Sequence, residues 1–202
     1  KEVAEEEYLT GKERSELVLL SLEDALGELH RPSSLGAAET ARRRLAFDEL
    51  FFLQLVQAQA RYQETILKPG LVFERTNELI RPLHEALPFE LTGAQARVLR
   101  EIYADMGSDR RMNRLLQGDV GSGKTIVALF AMLLAAESGR QAVLMAPTEL
   151  LAEQHVRKLS GLVEPLGLSV QVLTGQLKAS ERKAALRALS DGTAVLTVGT
   201  HA

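Results

Sequence analysis

Apolar positions along this chain follow two different rhythms. In the first part they recur at helical spacing. Residues 17–30 carry one such pattern, with Ser21 ahead of Leu22-Glu23-Asp24, a hydroxyl cap followed by acids in the first turn. Arg31-Pro32-Ser33-Ser34 breaks that pattern, and Gly36 follows closely. A long pattern then runs from about residue 37 to 67. Leu45, Leu50, Leu53 and Val56 lie along it at helical spacing, and Phe51 and Phe52 widen the stripe. This stripe is expected to be a packing face. Lys68-Pro69-Gly70 ends it, and a short helix is expected over residues 76–86, with Pro82 near its middle. The opening residues 1–16 are polar and acid-rich and read as a linker or frayed start.

After Leu87-Pro88 the texture changes. Short apolar runs alternate with amphipathic helical patterns. Strands are expected at residues 114–117, 141–146, 168–173 and 193–198. Helices are expected at 94–106 (capped by Thr92), 124–138 (ended by Gly139), 148–160 (capped by Thr148) and 179–189. Strands with few charges, separated by helices of this length, predict a parallel sheet covered on both faces and wound by right-handed crossovers. The expected architecture is therefore an α/β sheet over 88–202, preceded by an all-α region over 1–87.

Composition narrows the chemistry. The chain has 202 residues, of which 46% are hydrophobic and 25% charged, values of a folded globular chain rather than a disordered or collagen-like one. It has no cysteine, which excludes disulfides, thiol nucleophiles and cysteine zinc sites. Four histidines, His30, His84, His155 and His201, show no metal-binding spacing. The uncharged run at 126–136 is too short to span a membrane. The acidic opening is unlike a signal peptide, so the expected compartment is the cytoplasm. The net charge of −3 conceals an asymmetry: 11 basic and 16 acidic residues over 1–87, but 13 basic and 11 acidic over 88–202. Neither balance is that of a domain holding nucleic acid by bulk charge alone. Arg42-Arg43-Arg44 reads as a solvated or salt-bridged helix face.

The strongest chemical signal is Gly118-Asp119-Val120-Gly121-Ser122-Gly123-Lys124-Thr125. It matches G-x-x-x-x-G-K-[ST] at every fixed position, between an expected strand and an expected helix. The glycines let the backbone curl so that successive N–H groups face one phosphate. The following helix adds the positive end of its dipole. Lys124 would reach the outer phosphates, and Thr125 would ligate Mg²⁺. ATP and Mg²⁺ are the expected cofactors. By itself such a loop implies nucleotide binding and no particular reaction.

Its flanks add a resemblance. Pro88-Phe89-Glu90-Leu91-Thr92-Gly93-Ala94-Gln95 precedes the loop, and Met112-Asn113-Arg114-Leu115-Leu116-Gln117 leads into it. Met145-Ala146-Pro147-Thr148-Glu149-Leu150-Leu151, Leu173-Thr174-Gly175 and Val198-Gly199-Thr200-His201-Ala202 follow in that order. Together with Arg43-Arg44-Leu45-Ala46-Phe47-Asp48-Glu49-Leu50, this set resembles the RecG family of bacterial branch-migration helicases, superfamily 2 DNA translocases. The resemblance runs from about residue 17 to 202. It implies a helical linker over 1–87 and the first RecA-like motor lobe over 88–202. Gln95 would read adenine, its amide pairing with a donor and an acceptor on the base edge. Pro147, Thr148 and Glu149 would hold the backbone of one DNA strand, and Thr174, Gly175, Thr200 and His201 would track it. The implied partners are branched or forked DNA, a wedge domain and a second motor domain, in a monomeric protein. In that family the acidic box that holds Mg²⁺ and the arginine fingers lie beyond the last motif seen here. Residues 1–202 alone are thus expected to bind ATP–Mg²⁺ weakly and hydrolyse it negligibly. Two other readings stay open: a different P-loop enzyme such as a small nucleotide kinase, although no arginine-bearing lid pattern follows residue 125, and a nucleotide-dependent interaction module without turnover.

Overall fold

Helix-forming sequence in the first part folds around a charge rather than around a large apolar core. The computed structural model describes residues 7–65 and 67–201. These fall into two compact units, Lys1–Glu64 and Thr65–Ala202. The first unit holds α1 (Gly11–Leu17), α2 (Leu22–His30) and α3 (Leu35–Thr65), whose last residue crosses the boundary. Part of the stretch expected as a linker is therefore helical, and its first six residues lie outside the described residues. The reason is a capping box: the Thr10 hydroxyl accepts from Glu13 N–H (3.3 Å), while Thr10 N–H donates to the Glu13 carboxylate (2.8 Å). The pattern over 17–30 does not give one helix either. Val18 is left-handed (φ 55°) and ends α1, and Ser21 then caps α2.

At the centre of this unit lies Arg44, fully buried. Its Nε donates to both Asp48 oxygens (2.9 and 3.1 Å), Nη1 to Glu7 (3.1 Å) and the Leu20 carbonyl (2.8 Å), and Nη2 to Glu7 (2.8 Å). Tyr8 adds a hydroxyl bond to Asp48 and a ring 5.5 Å from the guanidinium carbon. So the arginine run is not uniform: Arg44 is a buried hub tying residues 7, 20 and 48 together. Leu50, Leu53 and Val56 of α3 remain more than half exposed, while Phe51 and Phe52 of the same stripe pack on the Tyr8 ring, with centroids 5.7 and 4.9 Å away.

The Arg44 bond holds the Glu7 carboxyl at about 2, well below its ordinary 4.5. A carboxylate depressed on folding adds stability above its unfolded value and loses it as pH falls through the folded value. The first unit is therefore expected to shed Glu7's share of stability between about pH 4.5 and about pH 2, and Glu7→Gln should flatten that part of the profile. Hydrogen exchange of α1–α3 across this range checks it. An unchanged wild-type profile down to the acid end would count against the hub.

The second unit is the sheet region. It contains α4 (Ile80–Ala86), α5 (Gly93–Met106), α6 (Lys124–Glu137), β1 (Ala142–Met145), α7 (Glu149–Val163), a 3-10 turn at Glu164–Leu166, β2 (Val170–Leu173), α8 (Ala179–Ser190) and β3 (Leu196–Gly199). The strands form a parallel sheet in the order β1-β3-β2, with Met145, Gly199 and Leu173 in register at one end. Central β3 is buried at every position, as a strand covered on both faces must be. The uncharged run at 126–136 becomes α6, buried nearly all round. Leu129, Phe130, Leu133 and Leu134 meet Leu159 and Val163 of α7 and Leu196 and Val198 of β3 in one core. No helix among the described residues is long and apolar enough to cross a membrane.

Two expectations shift here. The strand expected at 114–117 joins no ladder among the described residues, and Leu115 is 90% exposed. Extended sequence becomes a strand only when a neighbour completes its hydrogen bonds, and β1 pairs with β3 instead. The helix expected from residue 76 starts at Ile80, because Asn77 is left-handed (φ 65°). The Glu137 carboxylate caps it, accepting from Asn77 (3.3 Å), Leu79 (2.7 Å) and Ile80 (2.9 Å) N–H groups. Pro82 then falls in the first turn, where its missing N–H costs nothing. Because α4 packs on α6 and α7, the compact units part after Glu64, ahead of the change in sequence texture at Leu87-Pro88.

Candidate nucleotide site and strand-end motifs

The phosphate-type loop is set by its glycines and by α5. Gly123 caps α6 with φ 83°, and a Cβ there would lie 2.3 Å from the Gln95 amide nitrogen. The left-handed backbone favours glycine there, and a side chain would also push the Gln95 amide aside. Gly121 is left-handed as well, and Ser122 N–H closes a turn onto the Asp119 carbonyl (3.2 Å). Val120 stands fully exposed at the tip, and Thr125 is the second residue of α6, half-buried.

Lys124 folds back over this turn. Its ammonium donates to the carbonyls of Gly118 and Asp119, both at 2.7 Å, and lies 3.4 Å from the Ser122 hydroxyl. The cation therefore sits against the concave side of the curl, where an anion's charge would be met. The arrangement suits a polyphosphate: left-handed glycines, a helix start and one ammonium converge on a single loop. A metal bound there would draw on Thr125 and on phosphate oxygens. Among the described residues no acidic or histidine cluster could hold a metal on its own.

Gln95 is brought to the loop by α5. Thr92 caps this helix, accepting from Gln95 N–H (3.2 Å), and Thr92 N–H donates to the Gln95 side-chain carbonyl (2.9 Å). The Gln95 amide then donates to the Ser122 carbonyl (2.9 Å). Both ends of the amide group expected to read adenine are thus engaged by the protein. The spacing of Thr92 and Gln95 in the sequence announces the cap, but the link to Ser122 joins positions 27 apart and has no local signal.

The other motif residues gather by register. Pro147, Thr148 and Glu149 follow β1, Thr174 and Gly175 follow β2, and Thr200 and His201 follow β3, so all lie along the edge where the three strands end together. Thr148 caps α7, its hydroxyl accepting from Leu151 N–H (3.3 Å). Thr174 is buried, and Thr200 N–H donates to the Leu173 carbonyl (3.2 Å). Gly199 permits this closeness: a Cβ there would lie 2.4 Å from the same carbonyl. The Thr200 and Thr197 hydroxyls are buried without a hydrogen-bond partner among the described residues, and His201 is exposed. α6 passes into β1 through residues 138–141 and packs against it, so the chain reverses. The phosphate-type loop therefore lies at the same end of the unit as the strand-end motifs. No hydrogen bond joins the two groups among the described residues.

Residues 92–202 match the DEAD/DEAH box helicase family. The chain is 46% identical over 189 residues to the ATP-dependent DNA helicase RecG of Synechocystis sp., covering 94% of this chain and 23% of that protein. With the RecG of Bacillus subtilis it shares 47% identity over 178 residues, covering 88% and 26% respectively. A solved structure of RecG bound to a three-way DNA junction matches with a TM-score of 0.78 at 38% identity, over 98% of this chain and 27% of that one. The chain thus spans about a quarter of the length of these relatives. With a phosphate-type loop, the strand-end motifs and a family match over more than half of its length, the chain belongs to the DEAD/DEAH box helicase family.

Proposed function

We propose that this chain is the helical linker (about residues 1–87) and the first motor lobe (about 88–202) of an ATP-driven translocase on duplex DNA. Its task is to remodel stalled forks and branch-migrate recombination intermediates. The observation that carries the reading is the shared edge: the phosphate-type loop and three strand-end motifs stand at one end of a parallel sheet, where open α/β sheets bind ligands. Gly118–Lys124 would cradle the phosphates of ATP, Lys124 would neutralise their charge, and Thr125 would contribute to holding Mg²⁺, which supplies electrostatic stabilisation of the transferring phosphoryl group. Gln95 would recognise adenine by exchanging one of its internal hydrogen bonds for the base. Pro147, Thr148, Glu149, Thr174, Gly175, Thr200 and His201 would hold the DNA backbone, the last with its exposed ring. A monomeric, cytoplasmic protein with a wedge and a second motor lobe completes this reading. A nucleotide-dependent interaction module is the reading it displaces.

Backbone contacts make binding independent of base sequence and sensitive to salt. ATP hydrolysis by the full-length protein carrying this chain is expected to rise on adding a three-way junction, far more than on adding a linear duplex. Junction affinity should fall steeply with added salt. A marked preference for one base sequence, or turnover indifferent to branched DNA, would exclude the proposal.

A further inference from the structure

A second concave site lies where α4, α5 and α6 meet. It is a cavity of about 370 Å³, large enough for a mononucleotide-sized ligand. Its lining carries three arginines, Arg75, Arg81 and Arg100, and no carboxylate. None of the three has an ion-pair partner among the described residues. Unpaired guanidinium groups gathered around an open cleft raise a positive potential that favours an anion. Their planar forks match phosphate oxygens, and Arg81 on α4 and Arg100 on α5 approach from different helices.

Aliphatic side chains make up half of the rest of the lining, and His84, Tyr103 and Phe130 add rings. Phe130, buried in the core, lines the cavity, and the His84 ring lies 6.5 Å from it. The Arg75 guanidinium stands 4.8 Å from the centre of the Tyr103 ring and is steadied by the Asn77 side chain (2.7 Å). An arginine fixed in this way offers a plate on which a base can stack. Burial pushes the Tyr103 hydroxyl up to about 12, so it keeps its proton and can donate. The cavity shares no residue with the phosphate-type loop or with Gln95.

We propose that this cavity binds a nucleoside monophosphate, with its phosphate on Arg81 and Arg100 and its base on the plate formed by Arg75 and Tyr103. The site is separate from the phosphate-type loop and does not depend on the motor reading. Such a ligand would bridge α4 and α5 beside α6, the helix that begins with that loop.

Calorimetric titration with AMP tests it, since a single phosphate gives a P-loop little to hold. The expected dissociation constant is roughly 0.1–1 mM, on the scale of a few charge-assisted and stacking contacts. Lys124→Ala should leave AMP affinity within about twofold, while the double variant Arg81→Ala/Arg100→Ala should weaken it at least about tenfold. Both arginines are exposed, and an unchanged thermal midpoint of the variant shows that it folds. The proposal is overturned if AMP does not bind, if Lys124→Ala abolishes AMP binding, if the arginine variant binds AMP normally, or if inorganic phosphate binds as tightly as AMP. ATP binding lost in Lys124→Ala together with AMP binding retained would separate this site from the motor site.

Discussion

Replacing Lys124 with alanine is expected to weaken ATP binding by about 10²-fold or more, the scale of two lost charge-assisted hydrogen bonds. The ammonium donates to the Gly118 and Asp119 carbonyls at 2.7 Å each. ATP binding is therefore an exchange in which phosphate oxygens displace carbonyls. The neutral variant loses both the tie that shapes the loop and the charge that meets the phosphates. Amide exchange at residues 119–123 should accelerate even without nucleotide. The body of α6 is held by its buried side chains, so the thermal midpoint should move little. Calorimetry with ATP and Mg²⁺ measures the affinity, and an affinity unchanged in the variant would remove the loop from the proposed nucleotide site.

The second large effect concerns the first unit. Arg44→Ala is expected to destabilise it by about 3–5 kcal/mol, the usual cost of removing one partner from a buried ion pair. Glu7, Asp48 and the Leu20 carbonyl all spend hydrogen bonds on this one side chain. Removing it leaves Asp48 without its cation and Glu7 with only the longer pair to Arg14 (3.6 Å). The apolar core of the unit is small, Leu9, Ala25 and Ala41 being its buried members, so little else is available to compensate. Hydrogen exchange should show α1 and α2 opening first, while the sheet unit stays protected. Arg44→Lys should recover only part of the loss, since an ammonium cannot reproduce the fork onto Asp48 and Glu7 together. Full protection of α1 and α2 in the alanine variant would show that apolar packing alone sustains the unit.

Where sequence reading was accurate, the governing interactions are local. Thr92, Thr148 and Ser21 cap their helices because a hydroxyl reaches an N–H two or three residues on. The Thr10–Glu13 capping box is equally local, yet the acid-rich composition around it disguised a helix as a linker. Where reading failed, the deciding partner is distant. Asp48 at i+4 marks Arg44 as half of a local ion pair, but its role as a buried hub depends on Glu7, 37 positions away. Residues 114–117 have the apolar content of a strand but lack a paired neighbour. The start of α4 depends on the Glu137 carboxylate, nearly sixty positions along the chain.

The sequence by itself determined the phosphate-type loop, the helix and strand order that follows it and the order of the motifs along it. Those features depend on glycine conformation, capping and hydrophobic period, all of which act over a few residues. Only the tertiary structure decided which residues meet. It set β3 between β1 and β2, so that three motifs scattered along the chain share one edge. It also joined Gln95 to Ser122 and gathered Arg75, Arg81 and Arg100 around one cavity. Register, burial and charge pairing are properties of segments brought together, and no local rule along one segment encodes them.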